Sequence, residues 1–371
     1  MSIAGCLKYD PSSVVCTMVS VGCIPRKVTC QFVLRCPSGP GAFFFAGSNI
    51  MEDKCFKTHS ELIKILKNRG MDFSDADQEK KAISILEKEN YYNVINGYKD
   101  LFLQKGTSTE TYKNGTTFEE VYALYAFDRN IRHIYLKYLL KAESSFKTVI
   151  AHVFSDLYGH DNYLKITNFE TQVNNVSDED AIREITKLIG DIQQEIARQM
   201  KNHHPVVMHY MVNYGYIPLW VLVNVLTFGK ITVFYKYMKK TDKEKVARKF
   251  RLQDKELHKY MDILSLARNK CAHDERFFDT KFKKAIHTKS IQNFPILNLP
   301  KGQSGYHAGI NDVYAVAIML TLTLGKNDAN QLCAEIKNEF TVLENELSTI
   351  SIGDVKREMG FVGDWEKLKD L

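Results

Sequence analysis

The sequence predicts an all-α fold. Apolar residues recur at helical spacing through most of residues 51–371, and β-branched alternation is rare. Short polar caps and Pro/Gly-rich breaks divide that pattern into segments of helical length.

Taken in order, His59-Ser60-Glu61-Leu62 opens an amphipathic run with Leu62, Ile63, Leu66 and Met71 on one side. Ser74-Asp75-Ala76-Asp77 caps the next helix, with Ala82, Ile83, Leu86 and Tyr92 following at helical spacing. Gly106 to Thr117 is polar and reads as a loop. Long helical regions follow over Phe118 to about Leu157, Asp178 to about Lys201, and Pro218 to Met238. Lys243 to about Phe278 holds a fourth, with room for a short helix before it. A Pro/Gly-rich loop, Asn293 to Gly309, leads to two more near Asp312–Leu324 and Asp328–Ser348. The expected organisation is 1–50, a leader; 51–115, an N-terminal helical region; 116–285, a core; and 286–371, a C-terminal helical region.

Residues 1–50 stand apart. They hold one acidic residue, Asp10, and are rich in Val, Cys, Ser, Gly and Pro. Asp10 and Pro11 precede a weak apolar run broken by Pro25, Arg26 and Lys27, which is not the layout of a signal peptide. The segment reads as a non-native leader, with Met51 as a natural start; a β-rich appendage is the alternative. Of eight cysteines, Cys6, Cys16, Cys23, Cys30 and Cys36 lie in this stretch and no CxxC pair occurs, which argues against a zinc ribbon or a redox pair. Cys55, Cys271 and Cys333 read as reduced, buried thiols of a cytoplasmic protein. The longest apolar stretches, Ile217–Phe228 and Val313–Leu324, are shorter than the ~20 residues a membrane span needs and read as buried core helices. A net charge of +6 is compatible with a polyanionic partner without requiring one.

The strongest chemistry lies in Leu264-Ser-Leu-Ala-Arg268-Asn269-Lys270-Cys271-Ala-His273-Asp-Glu-Arg276. On a helix, Tyr260, Ile263, Leu264, Ala267 and Cys271 form an apolar stripe. Asn269, His273 and Arg276 cluster opposite it, with Arg268 between the two faces. At 100° per residue Arg268 and His273 are ~140° apart, so a symmetric dimer that brings two copies of the helix together would help them share one target. These groups suit metal-free RNA cleavage. Histidine can take the 2′-hydroxyl proton or give one to the leaving 5′-oxygen, and arginine can neutralise charge gathering on phosphorus. The R-x4-H spacing alone is weak, since roughly one such chain in three should carry it by chance. Arg198 and His203 repeat it in a polar stretch before Pro205.

Five segments sort these two. Ala267-Arg-Asn-Lys-Cys-Ala-His-Asp-Glu-Arg-Phe-Phe278 resembles the RNxCAHxxR motif of the Abi-like family, the AbiD/AbiF abortive-infection proteins. Asn90-Tyr-Tyr-Asn-Val-Ile-Asn-Gly-Tyr98 resembles its YYxxxxGY box, and Tyr122-Ala-Leu-Tyr-Ala-Phe-Asp-Arg-Asn-Ile-Arg132 followed by Glu143 resembles its long central helix. Ile217-Pro-Leu-Trp-Val-Leu-Val-Asn-Val-Leu-Thr-Phe-Gly229 resembles its P-x-W…FG helix, and Met359-Gly-Phe-Val-Gly-Asp-Trp365 its usual ending. The family often carries an acidic residue where this chain has Asn224.

The resemblance implies a HEPN-like helical bundle over 116–285 with N- and C-terminal helical extensions, acting as a metal-independent endoribonuclease of phage defence. It implies Arg268 and His273 as the catalytic pair, Asn269 as an assisting polar residue and Glu143 as a helper that orients Arg or His, with a surface carboxylate or a structural salt bridge as the equal alternative for Glu143. Arg276, Arg132 and Lys270 are the candidate RNA-binding residues. RNA is the expected substrate and a homodimer the expected form; a small-RNA antitoxin and a phage trigger are candidate regulators, and no membrane partner is expected. No cofactor or metal is expected either: His203, His204 and His209 have no acidic or Cys partner at ligand spacing. Tyr91, Tyr92 and Tyr98 fit core positions better than a stacking platform. The basic run from Lys236 to Arg251 fits a phosphate-binding strip and a solvated face about equally. Two rival readings are a non-catalytic RNA-binding or regulatory module and a sensor of phage protein whose partner kills.

Overall fold

Thr117 starts the helix that organises the molecule. Its side chain accepts from the Glu120 N–H at 3.2 Å, and Glu119 and Glu120 complement the positive helix end. From there α3 runs unbroken from Phe118 to Tyr158, 41 residues, until Gly159 turns the chain at φ +84. The computed structural model describes residues 55–172, 176–303 and 305–371, and residues 59–371 form one compact unit. The reading of residues 1–50 as a leader lies outside the described residues.

Ahead of α3 stand α1 (His59–Asn68) and α2 (Ala76–Leu86). Asp75 caps α2, its carboxylate accepting from the N–H groups of Asp77 and Gln78 at 2.9 Å each. Tyr92 does not continue α2. It opens a separate wide turn of π-helix, Tyr92–Asn96, and is 69% exposed, while Tyr98 is buried. After α3 come α4 (Asp178–Lys201), α5 (Pro205–Tyr214), α6 (Leu219–Leu222), α7 (Phe228–Tyr237), α8 (Lys240–Lys249) and α9 (Asp254–Ala272). The C-terminal part adds α10 (Val313–Thr323), α11 (Lys326–Glu344) and α12 (Ile352–Met359), with a two-stranded ribbon, Lys301–Gly302 and Gly305–Tyr306.

The single helix expected over Pro218–Met238 is two. The Asn224 side chain donates to the Trp220 carbonyl at 3.2 Å, and the Thr227 hydroxyl accepts from the Lys230 N–H at 3.3 Å, so one helix is closed and another opened in between. Trp220, expected in the core, is half exposed. Val313–Leu320, by contrast, is buried on every side, as a continuous apolar run requires.

α3 is the common wall. Phe127 stacks on Phe340 of α11 at 5.5 Å, and Phe146 meets Phe228 of α7 at 5.9 Å and Phe250 at 4.9 Å. Such pairs add ~0.5–1.5 kcal/mol beyond area burial. The same helix carries three buried carboxylates, each holding a distant part of the chain. Glu120 accepts from the N–H groups of Ser348 at 2.7 Å and Thr349 at 2.6 Å. Asp128 and Glu143 face the segment around α9. Among the described residues no helix is long and apolar enough to cross a membrane. Cys271 and Cys333 are buried, and burial pushes the Cys333 thiol up to about 11. Cys55, expected inside, is exposed, because it precedes the first helix and its apolar stripe.

Candidate functional site

α9 is positioned by its apolar stripe: Leu257, Tyr260, Met261, Ile263, Leu264, Ala267 and Cys271 are buried, with α3 on one side and α7 on another. The stripe leaves Arg268 at the edge. Its Nε donates to Glu143 Oε2 of α3 at 3.1 Å, and Nη1 lies 3.4 Å from Asn269 Oδ1. Glu143 is 5% exposed and also takes Lys147 Nζ on its other oxygen at 2.7 Å. One buried carboxylate thus serves two cations. The Arg268 side chain is 28% exposed.

His273 is the last residue in helical register. Its N–H donates to the Asn269 carbonyl at 3.0 Å, and its side chain is exposed. The helix does not continue to Arg276, as the helical wheel assumed. Asp274 adopts a left-handed backbone, φ +57, and the Glu275 N–H closes back on the Lys270 carbonyl at 3.1 Å. Arg276 is therefore carried by the following turn, where it pairs with Asp279 at 2.8 Å and donates to the Gly97 carbonyl. Lys270 pairs with Glu275 at 3.3 Å on the exposed side.

Arg132 is a correction. Expected to touch RNA, it is 2% exposed. Its Nη1 donates to Asp128 Oδ2 at 2.6 Å, and Nη2 binds the Asp274 carboxylate. Asp128 further accepts from the Tyr98 hydroxyl at 2.6 Å and from the N–H groups of Phe277 at 3.0 Å and Phe278 at 2.8 Å. Burial pushes the Asp128 carboxyl upward, while Arg132 and the other donors pull it back down. Four donors on two oxygens are the surroundings of an ionised carboxylate, so we read it as charged. The Tyr98 hydroxyl is raised well above the ordinary tyrosine range, by burial first and Asp128 second.

Asp128, Asp274 and Lys147 are site residues that the sequence analysis does not assign a role. A signal existed for two of them. Asp128 with Arg132, and Lys147 with Glu143, are i,i+4 ion pairs in a helix whose neighbours are apolar, a pattern that marks a buried pair. Asp274 could not be found that way, because its partner is 142 residues distant and the sequence does not say which helices touch.

The other expected features fall elsewhere. Arg198 pairs with Glu195 of its own helix at 2.6 Å, and His203 follows the end of α4 in a left-handed backbone, φ +52. Among the described residues no group of three or more His, Cys, Asp or Glu side chains is placed to hold a metal. In the basic run, Lys243 is partly buried, its Nζ donating to the Lys236 carbonyl, and burial pulls its ammonium below the ordinary lysine range. Arg248, Lys249 and Arg251 remain exposed.

A family model described as Abi-like protein matches residues 84–279. That span takes in Tyr98, Asp128, Arg132, Glu143, Arg268 and His273 together. No curated protein and no solved structure matches the chain.

Proposed function

The chain belongs to the Abi-like protein family, and on that premise we propose that it is an abortive-infection protein of phage defence that acts as a metal-independent endoribonuclease. The observation that carries this is an exposed His273 at the end of α9, five residues after an Arg268 that a buried Glu143 holds from behind.

The chemistry balances without a cofactor. The RNA 2′-oxygen attacks the adjacent phosphorus as His273 takes its proton, the bond from phosphorus to the 5′-oxygen breaks, and that oxygen receives a proton. The products are a 2′,3′-cyclic phosphate and a 5′-hydroxyl. Arg268 faces the charge that builds on the phosphoryl oxygens; Glu143 fixes its direction without neutralising both of its edges. Asn269 adds a polar group beside it, and Lys270 and Arg276 are the cations we assign to flanking phosphates.

A homodimer completes the reading. Leu266, Asn269, Lys270 and His273 share one face of α9, and Leu266 is a large apolar side chain at 56% exposure among them. A two-fold contact through Leu266 would bring two copies of His273 to one cleft.

The test is purified protein with labelled RNA in EDTA. Cleavage with cyclic-phosphate ends, and none of DNA of the same sequence, is expected because DNA lacks the nucleophile. Binding without cleavage would overturn the enzyme and leave an RNA-binding module. A strict monomer by light scattering that still cuts at low concentration would remove the dimer alone.

A further inference from the structure

The turn that follows His273 is tied down more firmly than its place on the surface requires. Asp274 leaves the helix at φ +57, and its carboxylate, 60% exposed, is gripped by Nη2 of Arg132. Three residues on, the N–H groups of Phe277 and Phe278 end on the Asp128 carboxylate at 3.0 and 2.8 Å. Arg132 and Asp128 sit one turn apart on α3 and bind each other at 2.6 Å. Both ends of the 274–278 turn are therefore fixed to one rigid stretch of the longest helix. Farther along α3, Glu143 fixes Arg268. One helix thus holds the two halves of the R-x4-H pair from behind.

Stability alone is a poor explanation for the arm to Asp274. Burying Arg132 carries a desolvation cost, which Asp128 is placed to offset. An ion pair to a carboxylate that is mostly in solvent adds little to that balance. What the second arm does is geometric: it sets the backbone one residue beyond His273, at a point where a left-handed angle is otherwise uncommon for a residue other than glycine.

We infer that Arg132 is a positioning residue, which through Asp274 fixes the turn carrying His273 and so aims the imidazole, and that it makes no contact with RNA. Its consequence for cleavage rests on the ribonuclease reading above; its consequence for the ring of His273 does not.

Asp274→Gly and Asp274→Asn in the full chain separate the possibilities. Glycine accepts the left-handed angle and deletes only the arm. Asparagine also tolerates that angle and keeps an oxygen for Arg132 to bind. A misaimed catalytic group costs on the order of 10–100-fold, so kcat for Asp274→Gly should fall by about that factor with KM changed less than about twofold. Asp274→Asn should recover most of the rate. The second readout is the Cε1–H resonance of His273 in protein carrying carbon-13 histidine. It should shift or broaden in Asp274→Gly and return toward wild type in Asp274→Asn. A rise in KM at unchanged kcat would mean that this corner contacts RNA and would overturn the inference. So would an unmoved ring resonance. If the resonance moves as expected while no form of the protein cuts RNA, the ribonuclease reading falls and the positioning role stands.

Discussion

Two stretches of this chain carry the same spacing, Arg198 to His203 and Arg268 to His273, and both straddle the C-terminal end of a helix. In the first, arginine folds back on Glu195, three residues earlier on its own helix, and Gln199 crowds onto the same carboxylate at 2.8 Å. Every partner is local. In the second, arginine reaches a carboxylate 125 residues away on α3, and the turn after histidine reaches α3 again through Asp274, Phe277 and Phe278. A local pair can be satisfied wherever its helix happens to lie. A pair anchored in a second element has a defined direction, and direction is what a reacting group needs. The spacing is common to both; the anchoring is not.

The sharpest way to break this contrast is to remove each histidine. His273→Ala should slow RNA cleavage by about 10²–10⁴-fold, the contribution of general acid–base help, while His203→Ala leaves the rate unchanged. Both side chains are exposed, so thermal melting of either variant should stay close to wild type. Cleavage by His273→Ala at the wild-type rate would remove the distinction altogether.

Next in size is the anchor itself. Asp128→Ala strips Arg132, Tyr98 and two backbone N–H groups of their acceptor in a fully buried place. A loss of about 3–5 kcal/mol is expected, as when one partner of a buried ion pair is deleted. Denaturant unfolding measures it; a loss below 1 kcal/mol would mean that the network is no better than a surface pair.

Glu143→Gln should cost less, about 1–3 kcal/mol, because Arg268 can turn to solvent while Lys147 is left beside a neutral amide. Cleavage should fall by about tenfold, since the charge of Arg268 survives but its direction does not. An unchanged rate would reduce Glu143 to the structural salt bridge that the sequence equally allows.

Much of the frame was legible in the sequence. The cap at Asp75 starts a helix because its carboxylate meets the first free N–H groups, a local matter. α4 covers the residues its periodicity predicts, since Ala181, Ile185, Leu188 and Ile192 make an unbroken stripe. The misjudged places have competing local chemistry. Asn224 and Thr227 divide a helix that apolar periodicity alone would have continued. Asp274 ends α9 before Arg276, so that a wheel drawn through Arg276 described a helix that had already stopped. Within the candidate site, Arg268, Asn269 and His273 could be named because one short motif contains them, and Glu143 because the resemblance of the long central helix points to it. Arg132 was named for the wrong kind of role: an arginine in a motif looks the same whether it faces a phosphate or a buried aspartate, and only the packing of α3 on α9 separates the two.

The smallest expected effect concerns the unanchored copy. The hydrogen bond from Arg198 holds the Glu195 carboxyl below the ordinary glutamate range, against a smaller upward push from burial. A carboxyl whose folded value is depressed stabilises the protein above its unfolded value, and that contribution disappears as pH falls through the folded one. Glu195→Gln should therefore lower the unfolding midpoint slightly at neutral pH and not at all once the solution is acid enough to protonate wild-type Glu195. RNA cleavage should be the same in both proteins at every pH where they are folded, because the hydrogen-bond partners of Glu195 are Arg198 and Gln199 on its own helix. Unfolding curves collected across the acid limb, with cleavage followed in parallel, make the measurement. A cleavage rate that tracked the Glu195 titration would couple the two copies of the spacing and end the case for treating one of them as incidental.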